Sequence, residues 1–192
     1  MGTKVSCLID EVTNETMSVS IATGVEGEIL PLDYDATLLN YDVSKFTPGT
    51  MIEASVCSVI HQGYKLALST HPRCLEPLEI GSQVEGIIVR KPSESSLSDE
   101  VAVVQLPGHR QGYLFCTDVT EMKLWKEYPI RSLSMREKKE VTILGNTVFF
   151  KDEVLAVTLR HDVLAQQQAT IQLKQIVCGF VVNIGMKGLH IR

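Results

Sequence analysis

Three stretches of the chain share one rhythm of apolar and polar positions. Val5, Cys7, Ile9 and Val12 mark it in "VSCLIDEV", Val84, Gly86 and Ile88 in "VEGIIVRK", and Val177, Gly179, Val181 and Ile184 in "VCGFVVNI". Lys91 takes the fourth position in the second stretch. Alternation with period two predicts a strand with one buried face, and a glycine inside it predicts a bend or a close backbone approach.

After each of the first two openings the pattern continues in parallel. A turn leads to a second strand, Met17 to Ile21 and then Val101 to Leu106. A glycine hairpin follows, "GVEG" from Gly24 to Gly27 and "GHRQG" from Gly108 to Gly112, and leads to a third strand, Glu28 to Leu32 and then Tyr113 to Thr117. Glycine supplies the positive φ that such turns need. After a long polar connection, two more strands close each unit: "MIEASVCSV" and "YKLALS" around "HQG", then "EVTILG" and "VLAVTLR" around "NTVFFKDE". The second unit is lengthened by "PSESSLSDE" from Pro92 to Glu100, whose composition predicts a mobile loop with no apolar face. In its long connection Met122, Trp125 and Tyr128 recur at helical spacing until Pro129 stops the run, and Trp125 reads as a plug beneath a barrel end rather than a base-stacking platform.

Five short strands with a short helix between the third and fourth is the plan of an OB-type barrel. The fold expectation is therefore all-β: one barrel over residues 1–75, a second over 76–165, and the start of a third repeat over 166–192.

Composition narrows the function. With 192 residues and 44% hydrophobic content, the chain can bury a core without staples. Its five cysteines, Cys7, Cys57, Cys74, Cys116 and Cys178, form no Cys-x-x-Cys pair, so neither a disulfide framework nor a zinc site is expected, and the thiols read as buried in a reducing compartment. No apolar run approaches the roughly 18 residues of a membrane span, and "MGTKVSC" lacks the apolar region of a signal peptide. The expectation is an intracellular chain, or an excerpt, with no membrane partner.

Charge is distributed unevenly. Residues 1–75 hold 4 Lys/Arg against 9 Asp/Glu, residues 76–165 hold 11 against 14, and residues 166–192 hold 3 against none. Nucleic-acid affinity comes mainly from cations displacing counterions, so the acidic first unit is a poor host and any such contact is expected later. His61, His71, His109, His161 and His190 lack ligand partners at recognised spacings, and no nucleophile or phosphate-loop motif occurs. No enzyme, cofactor, metal or small-molecule substrate is expected. Asp33 and Asp35 read as a solvated turn after a strand, and "GMKG" as a strand connection rather than a KH-type clamp, which needs flanking helices.

The order of strand, Gly-x-x-Gly hairpin, strand, long connection and "PGTMIEASVCSVIHQGYKLALST" resembles the RNA-binding repeat named after the S-one protein of the small ribosomal subunit. The resemblance covers nearly the whole chain. Among proteins built from many divergent units it is similar to the eukaryotic pre-ribosomal RNA processing scaffold, the programmed cell death protein eleven family. That likeness implies S-one-like barrels in a nucleolar, non-catalytic scaffold whose partners are RNA, in particular pre-ribosomal RNA, and ribosome-assembly proteins. The alternatives are a similar segment of a transcription or translation factor, or a protein-interaction spacer that binds no RNA.

Family members stack bases on two aromatics of the second strand and one aromatic or histidine of the third. In the first unit those positions fall on Ser18, Ile21 and Leu30, so that unit is expected to bind RNA weakly or not at all. In the second they fall near Ala102, Gln105 and Phe115, with Tyr113 on the same side of the strand as Phe115. Phe115 reads either as a stacking ring or as a core ring. Arg110 beside His109 in the hairpin, and Arg90 and Lys91 after the opening strand, are the candidate phosphate contacts, against a reading as solvated loop residues. In the third repeat the likeness places His190 at the first aromatic position, with Lys187 and Arg192 nearby.

Overall fold

The computed structural model describes residues 2–22, 24–34, 46–60, 65–71, 75–91, 101–120, 129–149, 152–161, 181–185 and 188–191. Its contacts divide the chain into two compact units: Met1–Pro77 with Leu106–Arg110, and Leu78–Gln105 with Gln111–Arg192.

In the first unit, β1 (Lys4–Val12), β2 (Met17–Ala22), β3 (Val25–Ile29), β4 (Met51–Ile60) and β5 (Lys65–Ser69) close a barrel in the order β1-β2-β3-β5-β4. All pairings are antiparallel except β3 with β5, where Glu26 to Ile29 runs parallel to Lys65 to Leu68. This is OB topology. The Thr13 hydroxyl makes the β1–β2 turn by accepting from the backbone N–H groups of Glu15 and Thr16 at 3.2 and 3.1 Å, a local bond that favours turns. Cys7, Ile9, Met17, Val19, Ile29, Ala54 and Leu68 fill the barrel with Tyr34, whose ring lies 5.5 Å from that of Phe46.

Gly24, at φ +78°, makes the β2–β3 turn. Gly27 does not share that task. It sits inside β3 facing the core, where an added Cβ would lie 2.5 Å from Leu68 Cδ1. The third strand accordingly begins at the turn and ends at Ile29, and Pro31–Asp33 form a 3-10 turn because proline cannot donate to a ladder.

The second barrel repeats the plan with β6 (Gln83–Arg90), β7 (Val101–Leu106), β8 (Arg110–Phe115), β9 (Lys138–Phe149) and β10 (Asp152–Thr158). Here β8 and β10 are the parallel pair, with Ala156 opposite Tyr113. Ile88, Leu106, Leu114, Val141, Ile143 and Val157 are fully buried. The stretch "NTVF", expected as part of a turn, continues β9 instead, since Thr, Val and Phe suit a pleated surface. The ladder shifts by a residue beside Gly145, which has φ +103°. The third strand of this unit likewise ends earlier than expected, Cys116–Asp118 being a 3-10 turn.

Among the described residues there is no α-helix. The connections between third and fourth strands hold 3-10 turns at Pro31–Asp33, Cys116–Asp118 and Pro129–Ser132. The helical run through Met122, Trp125 and Tyr128, and the loop Pro92 to Glu100, lie outside the described residues. So do Val177 and Gly179; the later part of that motif forms β11 (Val181–Gly185), an antiparallel pair with β12 (Gly188–Ile191).

Candidate nucleic-acid interface

OB barrels that bind oligonucleotides use the outer face of the second and third strands and the loops beside it. In the first unit, core-facing Met17, Val19, Gly27 and Ile29 leave Ser18, Ser20, Glu26 and Glu28 outward. Ser20 donates to the Asp10 carboxylate at 2.6 Å, and Glu28 pairs with Lys65. Ile21 packs against the core. The face offers carboxylates and hydroxyls and no ring.

Asp33 departs furthest from its expected place. Read as part of a solvated turn, it is fully buried. A buried carboxylate must be compensated by hydrogen bonds. Its Oδ1 accepts from Gly108 N–H at 2.6 Å and its Oδ2 from His109 N–H at 3.1 Å, while its own carbonyl accepts from Thr70 N–H, Ser69 Oγ and Thr70 Oγ1. His109 Nε2 lies 3.0 Å from Glu28 Oε1. Arg110, expected to reach phosphate, donates from Nε to Pro107 O at 2.6 Å and from Nη1 to Glu76 O at 2.7 Å, so its guanidinium is engaged within the first unit.

Cys57 lies near this carboxylate, and its thiol is pushed up to about 11, chiefly by burial, with Asp33 adding to the shift and Arg110 opposing it. The unfolded thiol ionises near its ordinary 9.0, so between those values unfolding releases a proton. The thiol therefore costs no stability below about pH 9, and the cost grows as pH rises towards 11. Alkylation of Cys57 at pH 8 is expected to be slow and to follow unfolding; labelling of the native chain at the rate of a free thiol would show the burial to be wrong.

In the second unit, β7 is buried along its whole length, so Val101, Val103 and Gln105 on its outer side are covered as well as Ala102, Val104 and Leu106. Phe115 is 2% exposed and packs with Val101 and Ala156. Tyr113 does lie with it, half-buried against the same cluster beside Leu144. The expectation that Phe115 presents a stacking ring is thus corrected: its ring is an apolar packing element.

The basic residues after β6 are better placed. Arg90 is exposed at the strand end, while the Lys91 ammonium donates to Leu133 O at 2.5 Å. Arg136 joins them, a residue the motif reading missed. Its N–H donates to Ile88 O at 2.8 Å, and Ile88 N–H donates to Glu137 O, which holds the exposed Arg136 alongside the end of β6. The signal was the basic run Arg136, Lys138, Lys139, of which Lys138 pairs with Glu85 and Lys139 with Glu137. The hydrogen bond from Lys139, with a second from Ser134 N–H, holds the Glu137 carboxyl below its ordinary range. Val89 and Met135 are exposed in sequence beside Arg90 and Arg136.

His190 stands in β12 opposite Asn183, with its side chain outside the described residues, as is all of Lys187 and Arg192. Among the described residues no His, Cys, Asp and Glu cluster has the makings of a metal site, and no helix is long and apolar enough to cross a membrane.

No family model and no curated protein matches the chain. Similar solved structures include an uncharacterised protein of Methanocaldococcus jannaschii, with 13% identity over 37% of this chain and 90% of that one and a TM-score of 0.32. GSP13 of Bacillus subtilis is 14% identical over 43% of this chain, with a TM-score of 0.34, and the match spans 63% of its length. A Streptococcus pneumoniae multidomain protein with nucleic-acid-binding domains is 12% identical over 82% of this chain and 50% of its own, with a TM-score of 0.30.

Proposed function

We propose that the chain is a non-catalytic segment that binds single-stranded RNA through the cationic rim of its second barrel. The observation that carries this reading is the convergence of Arg90, Lys91 and Arg136 at the end of the first strand of a closed five-stranded OB barrel. Such barrels engage oligonucleotides with the loop that follows this strand. Two exposed arginines at such a place suit a phosphate backbone, because each neutralised phosphate releases counterions. Half-buried Tyr113 on β8 is the candidate ring, and the first barrel takes RNA weakly or not at all.

The finer reading is that this segment belongs to a nucleolar scaffold for pre-ribosomal RNA processing and works among ribosome-assembly proteins. It rests on the sequence resemblance and on the repetition of one barrel plan along the chain.

The R90Q/R136Q double variant tests the RNA reading by titration with labelled single-stranded RNA at several salt concentrations. Lys91 is left intact because its bond to Leu133 is structural. Losing two phosphate contacts is expected to weaken binding and to lower the slope of log affinity against log salt by about 1.4. A folded double variant with wild-type affinity and slope would remove the rim from consideration.

A further inference from the structure

We propose that the outer side of β3 and β5 in the first unit is a protein-recognition site for a reverse turn, selected by the Asp33 carboxylate and filled in this chain by Leu106–Arg110. The turn carries positive φ at two successive residues, +77° at Gly108 and +61° at His109. Such a turn turns adjacent main-chain N–H groups outward, a concavity that suits an anion. Here the anion is the chain's own: one carboxylate oxygen takes each N–H, at 2.6 and 3.1 Å.

The acceptor is fixed in advance. The Asp33 carbonyl is tied to the end of β5 by three hydrogen bonds, from Thr70 N–H, Ser69 Oγ and Thr70 Oγ1. Pro31 starts the 3-10 turn that delivers the residue there. Cys57 lies near the carboxylate and packs with buried Ala67, and Glu28 faces the His109 imidazole.

The fitting partner is therefore a Pro-Gly-His-Arg turn: two free N–H groups for Asp33, an imidazole for Glu28, and an arginine that closes the turn on its own Pro107 carbonyl. The Asp33 carboxylate at the centre disfavours phosphate and Glu28 at the rim, paired with Lys65, adds no net positive charge, so this barrel face recognises protein and not RNA. The site thus shares β3 with the face on which OB folds take ligands, while the ligand's chemistry differs.

The test uses the full chain. Amide exchange at Gly108 and His109 is expected to be slow in the wild type. In the near-isosteric variant Asp33→Asn it should rise about ten- to a hundredfold, the loss of a charge-assisted bond. Amides of β2 and β3 report whether the barrel stays folded, and Glu28→Gln, at the rim, gives a smaller rise if Asp33→Asn unfolds it. A second arm asks for recognition in trans. A cyclic peptide carrying residues 106–111 should bind the G108A/H109A chain, whose own turn fits poorly, and should bind neither the wild type nor the same variant with Asp33→Asn added. Unchanged exchange at Gly108 and His109 in a folded Asp33→Asn chain would overturn the proposal. So would labelled RNA, rather than the peptide, taking the face in the G108A/H109A chain. The RNA reading of the second barrel stands or falls separately, on the arginine double variant.

Discussion

Replacing Phe115 with alanine is expected to lower the unfolding free energy of the second unit by about 3–5 kcal/mol, the cost of truncating a buried ring. The ring is 2% exposed and packs with Val101 and Ala156, with Tyr113 and Leu144 against the same cluster, so the cavity opens among residues held by their strands. β8 and β10 are paired through Tyr113 and Ala156, which limits how far either can move to fill it. Chemical denaturation measures the loss. RNA affinity of the folded fraction should stay within about threefold, because a covered ring stacks no base; an outward ring would have given about 1–3 kcal/mol in binding with little change in stability. A variant with the wild-type midpoint and weakened RNA binding would return Phe115 to the interface.

Gly27→Val is expected to destabilise the first unit by about 1–3 kcal/mol through overpacking. The added Cβ alone would lie 2.5 Å from Leu68 Cδ1 and 3.0 Å from Val19 Cγ2. Both neighbours are buried in the barrel core, with Leu68 at 0% exposure, so a rotamer change has no empty space to enter. Gly24→Ala is the matched control. At φ +78° with nothing within 4 Å of the new Cβ, it costs only the left-handed backbone strain of about 1 kcal/mol. Thermal unfolding should rank Gly27→Val below Gly24→Ala. The reverse order would mean that the turn, and not the close approach, demands glycine here.

The two glycines show how far the chain could be read by itself. "GVEG" announces a hairpin, and Gly24 makes one; the core role of Gly27 depends on Leu68, which β5 brings across the parallel pair from far along the sequence. A spacing motif cannot distinguish a glycine needed for its φ from one needed for its missing Cβ. The cationic rim was half legible for a similar reason. Arg90 and Lys91 follow an opening strand by pattern alone. That Lys91 is tied to Leu133 and that Arg136 takes up the position beside Arg90 follows from the pairing of β6 with the start of β9.

What the sequence determined by itself is the all-β class, the repeated strand order and the faces of β1 and β6, because period-two alternation and local turn chemistry act over a few residues. It also set the poverty of the first unit in rings and cations, since composition needs no fold to be counted. Only the tertiary structure decided which polar groups are spent on one another. Asp33 reads as a solvent-facing turn residue because its partners, Gly108 and His109, stand 75 and 76 residues away and offer backbone N–H groups that no side-chain motif records. Phe115 reads equally well as a stacking or a core ring because alternation gives the side of the strand but not what covers that side. Burial is a property of closed barrels and their neighbours in space, and the free energy that keeps a carboxylate or a ring from water is gathered from residues that meet only when the chain has folded.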